Sequence, residues 1–161
     1  MKVLNEGVQA GEPVGDIRVR HALLKGVAIS GETVVRMIDE FPVFMVAALC
    51  AEGETVVRDA EELRVKETDR LAVMTQELSK LGAKITETPD GFRVIGPQTL
   101  IGAHVDGHDD HRVAMSLAVA SLVAEGETIL HDARCAADSF PSFYETLAQL
   151  GAQPVIGGEN L

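Results

Sequence analysis

The strongest constraint on the fold of this chain is that part of it occurs twice. Ala51-Glu-Gly-Glu-Thr-Val-Val-Arg-Asp-Ala60 returns as Ala124-Glu-Gly-Glu-Thr-Ile-Leu-His-Asp-Ala133, identical at seven of ten positions. An apolar segment precedes each copy, Phe41 to Ala51 and Arg112 to Ala124, and a second helical pattern follows each, closing on Leu81-Gly-Ala83 and Leu150-Gly-Ala152. Such self-similarity marks a duplicated supersecondary unit. Each unit reads strand, helix, strand, helix, then strand or hairpin, over roughly 22–97 and 98–161. The expectation is an α+β fold of repeated βαβαββ units in a single domain, 1–161, with sheets packed around buried helices.

The local signals fill in this frame. Residues 1–15, with Gly7, Gly11, Pro13 and Gly15, read as an irregular lead-in. Asp16 to Arg20 alternates like a strand, and Leu24 to Ile29 reads as another. Asp39-Glu-Phe-Pro42 has the form of a helix start, with a carboxylate near the cap and Pro in the first turn. The helix from Phe41 to Ala51 is apolar nearly all round, which predicts burial. Glu54 to Arg58 reads as a strand, and Lys84–Thr88 and Phe92–Ile95 flank a Pro-Asp-Gly turn as a hairpin. Leu71, Met74, Leu78 and Leu81 step by threes and fours, an amphipathic helix stopped by Gly82.

That last helix opens on Arg64-Val-Lys-Glu-Thr-Asp-Arg70, three cations and two carboxylates in seven residues, with Thr68 or Glu67 as the expected cap. Lys66 and Arg70 stand at the end of the helix dipole that repels cations, an arrangement suited to a ligand anion. Right-handed βα connections gather helix starts on one edge. Four starts would then converge: Asp39–Pro42, Lys66–Arg70, Asp109–Arg112 and Asp138–Pro141. Arg70 and Arg112 make a bidentate site for phosphate or carboxylate, and Asp39, Glu67 and Asp110 supply acid/base groups beside it. Each element also has a plainer reading. Lys66 and Arg70 with Glu67 and Asp69 fit a solvated ion-pair lattice, and Asp39 fits an ordinary N-cap.

Composition narrows the partners. A net charge of −11 argues against nucleic acid or an anionic membrane as the main partner. No apolar run approaches the roughly 20 residues that span a bilayer, and the N-terminus has no signal-peptide stretch, so the expected location is cytoplasmic. Cys50 and Cys135 read as buried free thiols, and Cys135 lacks the partners of a nucleophile. His108-Asp-Asp-His111 suggests a metal cluster, but adjacent helix residues do not face one way, so no metal site is expected. His104 and His131 fall in strand-like stretches as structural residues.

Leu63–Arg70 resembles the signature of the 5-enolpyruvylshikimate-3-phosphate synthase family (3-phosphoshikimate 1-carboxyvinyltransferase). Asp110-His-Arg112 resembles its second motif, and Ser139-Phe-Pro141 its closing one. Ile38–Pro42 and Glu12–Ile17 resemble flanking segments, in order along nearly the whole chain. The resemblance implies the enolpyruvyl transferase-like fold and transfer of the carboxyvinyl group of phosphoenolpyruvate to the 5-hydroxyl of shikimate 3-phosphate, with no metal or organic cofactor. In that reading Asp39 holds the shikimate hydroxyls and accepts a proton, and Glu67 exchanges the proton at the methylene carbon. Lys66 contacts the 5-hydroxyl region, Arg70 and Arg112 clamp phosphoenolpyruvate, and Asp110 and His111 orient Arg112, with His111 also within reach of ligand. Asp138 stands where many members carry Lys, which weakens the closing loop as a phosphate grip. The family's enzymes are much longer, with two similar domains facing across a cleft. This chain corresponds to the C-terminal part, and the implied partner is the N-terminal domain, without which the expectation is a half-site with no turnover. The alternatives are a fragment of the enolpyruvyl transferase acting on UDP-N-acetylglucosamine, which lacks the Arg64–Arg70 run, and a non-catalytic anion-binding or interaction module.

Overall fold

The computed structural model describes residues 1–154. The last strand or hairpin expected of the second unit lies outside the described residues. The chain begins with β1 (Lys2–Gln9) and β2 (Glu12–Arg18), an antiparallel pair. This corrects the expected irregular lead-in. Ala10 and Gly11 both take positive φ, 53° and 88°, and so form the tight two-residue turn that matches strand twist. Of the glycines and proline that suggested irregularity, only Gly11 lies in the turn; Gly7 falls within β1, and Pro13 and Gly15 within β2.

The first repeat contains β3 (Ala28–Ile29), a short α1 (Glu32–Arg36), α2 (Phe41–Cys50), β4 (Gly53–Val57), α3 (Arg70–Lys80), β5 (Ile85–Thr88) and β6 (Gly91–Gly96). Its sheet has the order β3-β4-β6-β5, with β3 parallel to β4 and the rest antiparallel. The second repeat contains β7 (Leu100–Ile101), β8 (His104–Asp106), α4 (His111–Ser121), β9 (Ala124–Glu125), β10 (Ile129–His131) and α5 (Phe143–Gln149). Here β7 pairs with β9 and β8 with β10, both parallel, as β3 pairs with β4. The duplication reaches backbone detail. A β-carbon on Gly26 would overlap the Glu54 carbonyl, and one on Gly102 would overlap that of Glu127, so each repeat needs glycine where its chain passes the second Glu of the duplicated segment.

The core lies between these layers. From α2 come the buried Phe41, Met45, Val46, Ala48 and Leu49, and from α4 Val113, Leu117 and Ala120. Leu71, Met74 and Leu78 of α3, and Leu81 at its C-cap, are fully buried, as their spacing predicts. Burying each large side chain stabilises the fold by roughly 1.5–3 kcal/mol. Cys135 is buried but Cys50, at the solvent-facing end of α2, is exposed, which corrects its expected burial. Among the described residues no helix is long and apolar enough to cross a membrane.

Candidate functional site: a two-arginine edge at three helix starts

Three of the four expected helix starts meet. The turn after α1 carries Asp39 to the head of α2, where Glu40 takes the cap position and leaves the Asp39 carboxylate to other partners. At α3 the cap is Asp69, whose carboxylate accepts from Ala72 N at 3.0 Å, rather than the expected Thr68 or Glu67. Both of those side chains are engaged elsewhere. Thr68 Oγ1 donates to Asp110 Oδ2 at 3.0 Å, and Glu67 Oε2 accepts from Arg70 Nη2 at 2.6 Å. At α4 the cap is Asp110, which accepts the backbone N–H groups of Arg112 and Val113.

Arg70 is the hub, only 1% exposed. Its Nε and Nη2 grip both oxygens of Asp110, at 2.9 and 3.2 Å, in a bidentate pair. Its Nη1 donates to Asp39 Oδ1 at 3.2 Å. Arg112 completes the bridge, with Nη2 3.2 Å from Asp39 Oδ2 and Nη1 3.1 Å from the Asp39 carbonyl. One carboxylate, that of Asp39, thus spans two guanidiniums and stays half-exposed, while Asp110 beneath it is fully buried. Burial pushes the Asp110 carboxyl up, but Arg70 and the Thr68 and Val113 donors outweigh it, leaving a net pKa below the ordinary carboxylate value.

Asp39, Glu67, Arg70, Asp110 and Arg112 therefore converge. The geometry does not bring in Lys66, whose Nζ lies 2.5 Å from Glu62 Oε1, a turn before α3. His111 opens α4 with its side chain partly exposed. The fourth start is corrected. Residues 133–138 form a 3-10 turn closed by Phe140 N to Ala136 O, and α5 begins only at Phe143. Ser139-Phe-Pro141 thus precedes the helix instead of opening it, and Asp138 ends the 3-10 turn. Cys135 Sγ donates to Asp132 O at 3.0 Å, and burial, with nearby carboxylates, pushes its thiol up to about 11, far from an active nucleophile.

One residue, Glu77, escaped the sequence reading. Arg64, counted in the charged run but given no ligand role, is scaffold: it donates to the Thr88 and Pro89 carbonyls and pairs with Glu87 and with Asp69, tying the β5–β6 turn to the start of α3. Glu77 is a fully buried carboxylate held by Lys80 and His108. Its position was readable, because it falls three after Met74 on the apolar stripe of α3, where a charge needs a partner.

This edge can be compared with known proteins. The EPSP synthase (3-phosphoshikimate 1-carboxyvinyltransferase) family model matches residues 3–147. Similar proteins include the 3-phosphoshikimate 1-carboxyvinyltransferases of Gloeobacter violaceus, 58% identical over 94% of this chain, and Gloeothece citriformis, 56% over 93%. The chain spans only about a third of these relatives, 35% and 34%. The structure resembles EPSP synthase from Acinetobacter baumannii, with TM-score 0.88 and 39% identity over 92% of this chain and 35% of that one. It also resembles the enolpyruvyl transferase NikO from Streptomyces tendae, with TM-score 0.68 and 26% identity over 94% of this chain and 33% of that one. With a match running through the three helix starts that build the edge, the chain belongs to the EPSP synthase family.

Proposed function

We propose that this chain is one wall of an active site that transfers the carboxyvinyl group of phosphoenolpyruvate to the 5-hydroxyl of shikimate 3-phosphate. The observation that carries this reading is the Asp39 carboxylate held between Arg70 and Arg112, since two guanidiniums placed to hold one carboxylate also suit a compact anion. The hydroxyl oxygen attacks C2 of phosphoenolpyruvate while Asp39 takes the hydroxyl proton and Glu67 protonates C3, giving a tetrahedral intermediate. Phosphate then leaves from C2 as Glu67 takes a proton back from C3, which restores the double bond on the transferred group. Arg70 and Arg112 hold the anion throughout, and Lys66 turns from Glu62 toward the 5-hydroxyl. Asp110 holds the Arg70 guanidinium and caps the helix that carries Arg112, and His111, the first residue of that helix, is within reach of ligand. No cofactor enters this chemistry, and we place it in the cytoplasm.

The remaining binding groups come from an N-terminal domain facing this wall. The experiment is made in the longer protein: Glu67→Gln lowers kcat by at least about a hundredfold with little change in KM, the effect expected of a lost proton-transfer group. A near-normal kcat would remove Glu67 from its role.

A further inference from the structure

The loop between β8 and α4 delivers Asp110 and Arg112 to the edge, and its backbone is strained. His108 and Asp109 are consecutive non-glycine residues with φ of 54° and 56°. Such conformations persist only where the surroundings over-determine them. Here carboxylates do so: Asp106 Oδ1 accepts from His108 N at 2.8 Å, and Asp132 Oδ2 accepts from Asp109 N at 2.6 Å. A third carboxylate reaches in from α3. Glu77 Oε2 accepts from Asp106 N at 2.9 Å, and Glu77 Oε1 lies 2.8 Å from His108 Nε2.

Glu77 and Arg70 are seven residues apart and share one face of α3. The helix therefore holds the loop at both ends, by Glu77 where the loop leaves β8 and by Arg70 where Asp110 caps α4. Glu77 is fully buried, where an apolar residue would continue the stripe of Met74 and Leu78. Lys80 Nζ, 2.7 and 2.6 Å from its two oxygens, offsets the burial of the charge.

We propose that Glu77 is a positioning residue, which fixes Asp110 and Arg112 by holding Asp106 and His108. The proposal rests on reading the Arg70–Arg112 edge as the anion site, but its test needs no anion. Amide hydrogen exchange is measured by NMR on this chain carrying Glu77→Leu, Glu77→Gln or Lys80→Gln. With Glu77→Leu, the Asp109 and Asp110 amides and Arg70 Nε–H exchange at least about tenfold faster, while the core amides of α2 are unchanged. Glu77→Gln, which keeps an acceptor for Asp106 N, restores most of the protection, whereas Lys80→Gln, which leaves the buried Glu77 carboxylate without its ammonium, accelerates exchange at the loop. If loop and core amides accelerate together, or neither does, Glu77 is structural only and the proposal is overturned. Should Glu77→Leu not fold, His108→Asn decides on the same readout, since Asn tolerates positive φ but lacks the imidazole. Failure of wild-type chain to bind phosphoenolpyruvate would count against the function above and leave this result standing.

Discussion

Asp39 places one carboxylate oxygen 3.2 Å from Arg70 and the other 3.2 Å from Arg112, where an incoming anion would compete with it. Counted with Glu67 and Asp110, three carboxylates surround two guanidiniums, so anion binding works against a locally negative field. Asp39→Asn is therefore expected to tighten phosphoenolpyruvate binding about threefold to tenfold, measured by calorimetry, while removing the proton acceptor from the proposed reaction. Weaker binding in that variant would mean that Asp39 supports the anion rather than competing with it. Asp110 makes a separate prediction. Its folded-state pKa lies below the unfolded value near 4, so its pairing stabilises the fold above that pH and is lost as pH falls through the folded value. Asp110→Asn should lower stability at pH 7 by about 3 kcal/mol, because Arg70 loses its bidentate partner inside the protein. It should also flatten the loss of stability below about pH 4, measured by urea unfolding across pH; an unchanged acid profile would contradict this.

At the scale of elements, the apolar helices were legible and the connections less so. The all-round apolar run of α2 and the three-and-four spacing of α3 correctly announced burial, because side-chain periodicity records which face leaves water. The cap of α3 was misplaced by one residue or two, since Thr68, Asp69 and Glu67 all carry capping oxygens and only the tertiary partners Asp110 and Arg70 decide among them. The β1–β2 hairpin was hidden because Ala10 takes positive φ, which nothing local demands. The start of α5 was misread because Pro141 suits a first turn equally well from just outside it. Phe41, fully buried at the head of α2, ties the site to the core. Phe41→Ala should cost about 3–5 kcal/mol, read as a lower urea midpoint; a loss below about 1 kcal/mol would mean that the core around it repacks.

At the scale of the whole molecule, the duplication explains why the site exists. It sets α2 and α4 side by side and so brings Asp39 and Arg112, at the heads of equivalent helices, within 3.2 Å. The helix starts were paired by sequence alone, but the internal pairing of Asp39 with both arginines was not, because it depends on side-chain reach across residues 31 and 73 positions apart. The edge is open to solvent on the side where Asp39 is exposed, as befits one wall of a cleft. The most direct measurement is an NMR titration of phosphoenolpyruvate into this chain, following the Arg70 and Arg112 side chains and release of inorganic phosphate when shikimate 3-phosphate is added. The account predicts saturable shifts at both arginines with a Kd on the order of millimolar and no phosphate release. Unmoved arginines, or turnover by the chain alone, would contradict it.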